Sequence, residues 1–208
     1  MALERYIAEH ISPEPEILSD LTREAYRTLV HPRMVSGHLQ GRLLTMLVRM
    51  ISPTKVLELG TYVGYSALCI AEGLSEGASL TTIELNDELE ERILELFQRS
   101  GYAEKINLMI GDALEILPKL PIEEYQVVFM DANKAAYPTY YHLLADRLPS
   151  NGYIVADNTL WGGKVLDSRS HDHQTEGIRV FNDLVAQDDR MEKVILPLRD
   201  GLTLIRKK

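Results

Sequence analysis

Residues 56–66 read Val-Leu-Glu-Leu-Gly-Thr-Tyr-Val-Gly-Tyr-Ser, an apolar strand that runs into a glycine turn and opens a helix. Gly60 and Gly64 let the backbone turn sharply and approach a ligand closely. The amides at the start of the following helix favour a carboxylate or another anionic group. A dinucleotide fingerprint needs Gly-x-Gly-x-x-Gly to seat a pyrophosphate. Here the spacing is Gly-x-x-x-Gly, which suits a nucleoside cofactor without phosphate, S-adenosylmethionine. Glu58 inside the motif can accept from a ligand ammonium group, and the next strand, 80–84, ends on Glu84, an acid placed where ribose hydroxyls would be held.

Around this motif, apolar runs of strand length alternate with longer amphipathic segments, the pattern of a parallel sheet covered by helices. Strands are expected near 55–59, 79–84, 105–110, 125–130, 152–156, 192–197 and 202–206, and helices near 65–74, 86–100, 112–119, 135–148 and 174–187. Asp200-Gly201 predicts a tight turn that makes the last two strands an antiparallel hairpin. Two more helices, 14–30 and 36–50, are expected to meet across His31-Pro32, because proline disfavours helical backbone in the residue before it. The chain therefore reads as one α/β domain over 1–208, with a helical N-terminal lid (1–50) and a cofactor- and metal-binding core (51–208).

The 208 residues suffice for one well-buried core. With 22 Lys+Arg against 31 Asp+Glu, a net charge of -9 gives no global attraction for nucleic acid or an anionic membrane. One cysteine, Cys69, cannot form an intramolecular disulfide and fits a reducing cytoplasm. Charged residues interrupt the N-terminal apolar residues, and no apolar run is long enough for a membrane span, so neither a signal peptide nor a span is expected.

A second cluster lies at the ends of two later strands, where 127–130 runs into Asp131-Ala132-Asn133-Lys134 and 153–156 into Asp157-Asn158. Ligands of open α/β sheets bind outside the carboxyl ends of strands. Asp131, Asp157 and Asn158 would then offer three oxygen donors beside the cofactor turn, a set that suits a hard cation such as Mg²⁺. The blander alternative for each acid is a helix cap or turn. Trp161 and Tyr137 flank these segments and are candidates for contact with an aromatic substrate or for the core. His171-Asp172-His173 could grip a transition metal, although its polar surroundings read as a solvated loop.

These residues together resemble the cation-dependent O-methyltransferases of the catechol and caffeoyl-CoA type, in particular their small bacterial members. The resemblance runs from Pro32-Arg33-Met34-Val35-Ser36 to Asp200-Gly201-Leu202 and implies a Rossmann-like class I S-adenosylmethionine-dependent methyltransferase fold with a seven-stranded, mostly parallel sheet. It implies that Glu58, Gly60, Tyr62 and Ser66 line the methionine end of the cofactor, that Met34 and Ser36 close over it, and that Glu84 holds the ribose. Gly111-Asp112-Ala113 is similar to the family's adenine-side turn. Asp131, which also counts among the cofactor residues, would bind the cation with Asp157 and Asn158, and Lys134 would be the base. Mg²⁺ is the expected cation, with Mn²⁺ or Ca²⁺ as alternatives, and the assembly a homodimer. The chain departs from many members at Asn133, where they carry Asp, and at Arg199, where they carry Gly.

The chemistry implied is methyl transfer to a catechol-like vicinal dihydroxy aromatic, whose two adjacent oxygens can chelate the cation while Lys134 removes the phenol proton. No Ser-His-Asp or Cys-His arrangement is needed for a direct displacement. Three alternatives stand beside it: a tRNA 5-hydroxyuridine O-methyltransferase, which would need a local basic face; a nicotinamide-dependent oxidoreductase, which would need the missing pyrophosphate glycines; and a non-catalytic cofactor sensor, which would need Lys134 held away from the metal.

Overall fold

A computed structural model describes residues 2–208, so Met1 of the expected lid lies outside the described residues. In chain order the elements are α1 (Ala2–His10), α2 (Glu16–Thr28), α3 (His38–Ile51), β1 (Lys55–Leu59), α4 (Tyr65–Gly73), β2 (Ser79–Glu84), α5 (Glu90–Ser100), β3 (Ile106–Ile110), α6 (Ala113–Ile116), β4 (Val127–Met130), α7 (Tyr137–Ala145), β5 (Tyr153–Asp157), α8 (His173–Gln187), β6 (Met191–Leu196) and β7 (Leu202–Lys207). The strands form one sheet in the order β3-β2-β1-β4-β5-β7-β6, in which only β7 runs against the rest. Burial along β4 and along β1 after Lys55 explains the apolar run of β4 and the apolar residues flanking Glu58 in β1, since a parallel strand covered on both faces has no solvent side to alternate toward.

Alternate strand residues feed two cores. Val56, Leu80, Phe129 and Val155 pack under α2 to α5, and Leu57, Leu59, Met130 and Ile154 pack under α6 to α8. Helix α3 lies very close to α4: a Cβ at Gly41 would stand 2.7 Å from Cys69 Sγ. The Arg42 guanidinium also grips both Glu72 carboxylate oxygens, at 3.0 and 2.6 Å.

The register positions the site. Leu59 pairs with Met130, and Met130 with Ala156, so the next residues, Gly60, Asp131 and Asp157, emerge side by side at the carboxyl ends of β1, β4 and β5. The strand order reverses between β1 and β4, the switch point at which open α/β sheets bind ligands.

Three expectations need correction. Helix α1 was not anticipated; Leu3 and Tyr6 are exposed, and local contacts such as the Arg5–Glu9 ion pair at 2.7 Å take the place of a buried apolar stripe. The helix expected over 112–119 is one α turn, Ala113–Ile116, that tightens to a 3₁₀ turn at Leu117–Lys119, where Pro118 has no N–H to give. The final antiparallel hairpin forms as expected, but its link spans 197–201, one residue longer than the expected strand bounds leave, because Pro197 cannot extend the β6 ladder.

Candidate active site

A cavity of about 830 Å³ opens at the switch point. Its floor is the turn after β1, where Gly60 N and Thr61 N both donate to Ile83 O, at 3.0 and 3.2 Å. At Gly60 φ is 95° and a Cβ would lie 2.4 Å from the Asp131 carbonyl oxygen, so any side chain would push the β1 and β4 tips apart. Beneath this floor Glu58 is fully buried and is not among the residues that line the cavity, so the structure places it behind the turn and not on the wall expected to meet the ligand's ammonium group. Its Oε2 accepts from Thr82 Oγ1 at 2.5 Å, and Thr82 in turn accepts from Thr61 Oγ1 at 2.6 Å. Glu58 Oε1 has no hydrogen-bond partner; Ser66 is near enough to favour the charged form but not placed to bond it. Burial pushes the Glu58 carboxyl up to about 7, against the pull of the Ser66 and Thr82 hydroxyls.

Glu84 is held open to the cavity by the main chain. Its Oε2 accepts from Tyr62 N at 2.6 Å and its Oε1 from Asn86 N at 2.9 Å, which orients the carboxylate and leaves further lone pairs for a ligand hydroxyl. Gly111, Asp112 and Ala113 line the neighbouring wall; Asp112 Oδ1 caps α6 by accepting from Leu114 N at 2.8 Å. Met34 and Ser36 approach from the strap between α2 and α3, and Tyr62 Oη donates to His31 O in the same strap at 3.2 Å.

On the opposite wall stand Asp131, Lys134, Asp157 and Asn158. Lys134 is 7% exposed, its ammonium pairs with Asp131 Oδ1, and its Nζ lies 5.1 Å from the Tyr137 ring centroid. Asp157 is buried, accepting from Gln40 Nε2 at 2.6 Å and from Asn158 N at 2.7 Å. Burial first, and then the negative charge of Asp131, push the Asp157 carboxyl up to about 6. Two crowded carboxylates beside an amide, with the Lys134 ammonium set against both, make an oxygen-donor set that keeps net negative charge, and a hard divalent cation fits such a set. Among the described residues no three His, Cys, Asp or Glu side chains gather as a metal cluster, so the candidate set depends on the amide of Asn158.

Of the two aromatic candidates, Trp161 lines the cavity with its Nε1 buried and unbonded. Tyr137 does not line it. It is fully buried, donates to Met130 O at 2.8 Å with Asp157 O at 3.0 Å, and meets Phe181 edge-on, so its expected substrate contact gives way to a tie between β4 and β5. Asp172 caps α8 by accepting from Thr175 N at 3.0 Å, which explains the His171-Asp172-His173 segment without a metal. Sequence reasoning missed Tyr140, Gln174 and Arg199 in the cavity wall, and Gln40 behind Asp157.

A nucleoside-sized cradle at the switch point of a seven-stranded sheet with a reversed β7 defines the class I S-adenosylmethionine-dependent methyltransferase fold. The O-methyltransferase family profile matches residues 8–208, and the chain belongs to that family. It is 35% identical over 207 residues to caffeoyl-CoA O-methyltransferase 1 of Zea mays, covering 93% of this chain and 79% of the relative. It is 34% identical to caffeoyl-CoA O-methyltransferase 2 of Eucalyptus globulus, covering 99% and 88%. Among solved structures it is similar to the O-methyltransferase from Bacillus cereus in complex with S-adenosylhomocysteine (TM-score 0.91, 25% identity, 100% of this chain and 98% of the other). It is also similar to TomG of Streptomyces achromogenes, bound to S-adenosylmethionine (TM-score 0.91, 28% identity, 100% and 96%). The chain is therefore an S-adenosylmethionine-dependent O-methyltransferase, which sets the nicotinamide reading aside. Among the described residues no helix is long and apolar enough to cross a membrane.

Proposed function

We propose that the chain methylates one hydroxyl of a catechol-like vicinal dihydroxy aromatic with the help of a divalent cation, Mg²⁺ in the first instance. The observation that carries this reading is the convergence of Asp131, Lys134, Asp157 and Asn158 on the same cavity that Gly60, Glu84 and Ser66 open toward. Asp131, Asp157 and Asn158 are the residues that would hold the cation, which would supply a Lewis acid for the acceptor oxygens. Glu84 would hold the ribose hydroxyls, the 111–113 turn would face the base, and Met34 and Ser36 would cover the methionine end. S-adenosylmethionine carries its methyl on a sulfonium, so transfer to oxygen needs no protein nucleophile.

Lys134 is the proposed base. Its buried position gives it few alternatives to Asp131, and whatever engages that carboxylate loosens the ammonium's one ion pair. Trp161 offers an apolar face for an aromatic ring. The named plant relatives support an acceptor with adjacent hydroxyls, and nothing among them supports a tRNA acceptor. The buried thiol of Cys69 suits a reducing compartment such as the cytoplasm, and the assembly implied by the resemblance is a homodimer, measurable by light scattering.

The test is to incubate the protein with S-adenosylmethionine, Mg²⁺ and either a panel of catechols or undermodified tRNA, and to identify the methylated product by mass. A monomethylated catechol is expected; methylated tRNA alone would redirect the assignment.

A further inference from the structure

Arg199 occupies the left-handed region, with φ at 51°, where a residue other than glycine is uncommon. Its side chain spans two parts of the cavity wall. Nη1 donates to Val35 O at 3.1 Å and Nη2 to Arg33 O at 3.3 Å, so one planar fork serves two carbonyls of the strap that carries Met34 and Ser36. The backbone of the same 197–201 link grips the opposite wall. Asp200 O accepts from Leu160 N at 2.7 Å and from Trp161 N at 3.1 Å, and Gly201 O accepts from Thr159 N at 3.0 Å. The fit is close, since a Cβ at Gly201 would stand 2.5 Å from Leu160 Cγ.

The strap is seated by the burial of Val35 and Ser36 at its end and is otherwise held through its carbonyls. It contains one 3₁₀ turn, Pro32–Met34, and Met34 is exposed to the cavity mouth. Its other side-chain anchor is Tyr62 Oη on His31 O, which belongs to the cofactor turn. The carbonyl of residue 31 is thus held by the cofactor turn, and those of residues 33 and 35 by the β6–β7 link.

We propose that Arg199 is a positioning residue that couples the strap over the cofactor to the segment 158–161 on the acceptor side, so that the two walls of the cavity are set by one clasp. This rests on the reading above, in which Met34 and Ser36 cover the cofactor while Asn158 and Trp161 face the cation and the acceptor. The substitutions that test it are Arg199→Gly and Arg199→Lys. Glycine suits the left-handed backbone, so the variant should melt no lower than the wild type, whereas a merely structural arginine would lower the melting temperature.

Amide exchange in the ligand-free proteins should quicken at both 31–36 and 158–161 in Arg199→Gly. Arg199→Lys, which keeps the charge without the fork, should fall between it and the wild type. Calorimetric affinity for S-adenosylhomocysteine and the KM for a catechol should both weaken about tenfold, with kcat changed less, as expected for the loss of two ordinary hydrogen bonds. Unchanged exchange at 158–161, whether or not the strap loosens, would overturn the clasp. Failure of the wild type itself to bind S-adenosylhomocysteine would overturn the reading of the cavity instead, while the exchange rates would still decide the clasp.

Discussion

Glu58 and Thr82 are direct register partners on β1 and β2, and their side chains are joined by a 2.5 Å hydrogen bond in which the threonine hydroxyl donates and neither residue reaches solvent. The bond lies under the cofactor turn, and Thr61 of that turn donates into it through Thr82. A buried acid thus supports the cradle from below.

This arrangement makes stability depend on pH. Burial raises the Glu58 carboxyl from 4.5 to about 7, so between these values the folded chain keeps a proton that the unfolded chain has lost. The contribution is fully present below 4.5 and is lost as pH rises through about 7. Urea unfolding should therefore show stability declining across that window, with Glu58 adding on the order of 3 kcal/mol at most. Glu58→Gln should flatten the decline. An unchanged slope in that variant would assign the proton to another group.

Glu84→Ala should weaken S-adenosylhomocysteine binding while the fold persists, because the lost carboxylate is fixed by two main-chain amides at the cavity wall. Hydrogen bonds to charged groups contribute about 1.5–3 kcal/mol, or roughly one to two orders of magnitude in Kd. Calorimetry on the folded variant measures this directly, and an unaltered Kd would remove Glu84 from the cofactor site.

Tyr137→Phe distinguishes a core residue from a substrate contact. Loss of the hydroxyl that serves Met130 O and Asp157 O should cost about 1–2 kcal/mol in unfolding free energy and leave the KM for a catechol unchanged. A selective rise in KM at unaltered stability would return the residue to the substrate wall.

Much of the site is legible in the sequence because its residues sit at strand tips, where a local motif and the parallel register suffice to bring them together. Gly60, Asp131 and Asp157 are examples: each follows an apolar run, and the sheet aligns those runs. The rest depends on contacts that leave no local trace. Gln40 reaches Asp157 from 117 positions away, and Arg199 reaches Val35 from 164. Tyr137 and Trp161 look alike as aromatics beside polar strand ends; only packing sends one into the core and the other to the cavity. Helix α1 escaped because its apolar spacing, Leu3, Tyr6 and Ile7, is short and stays largely exposed, with Leu3 and Tyr6 facing water.

Lys134→Met should lower kcat by about 10² to 10⁴, the usual contribution of a positioned base, while cofactor affinity survives. Lys134→Arg should not restore the rate, because a guanidinium stays protonated. Steady-state kinetics with a catechol acceptor decides it; wild-type turnover in the methionine variant would leave the cation alone to acidify the acceptor.

Metal dependence of methyl transfer is the most direct measurement of all. Initial rates of catechol methylation, followed by product mass, should fall to background when the protein is stripped with excess chelator, return on addition of Mg²⁺, and stay at background in Asp157→Ala under either condition. Full transfer by the wild type in excess chelator, or by Asp157→Ala, would contradict a cation site built from Asp131, Asp157 and Asn158.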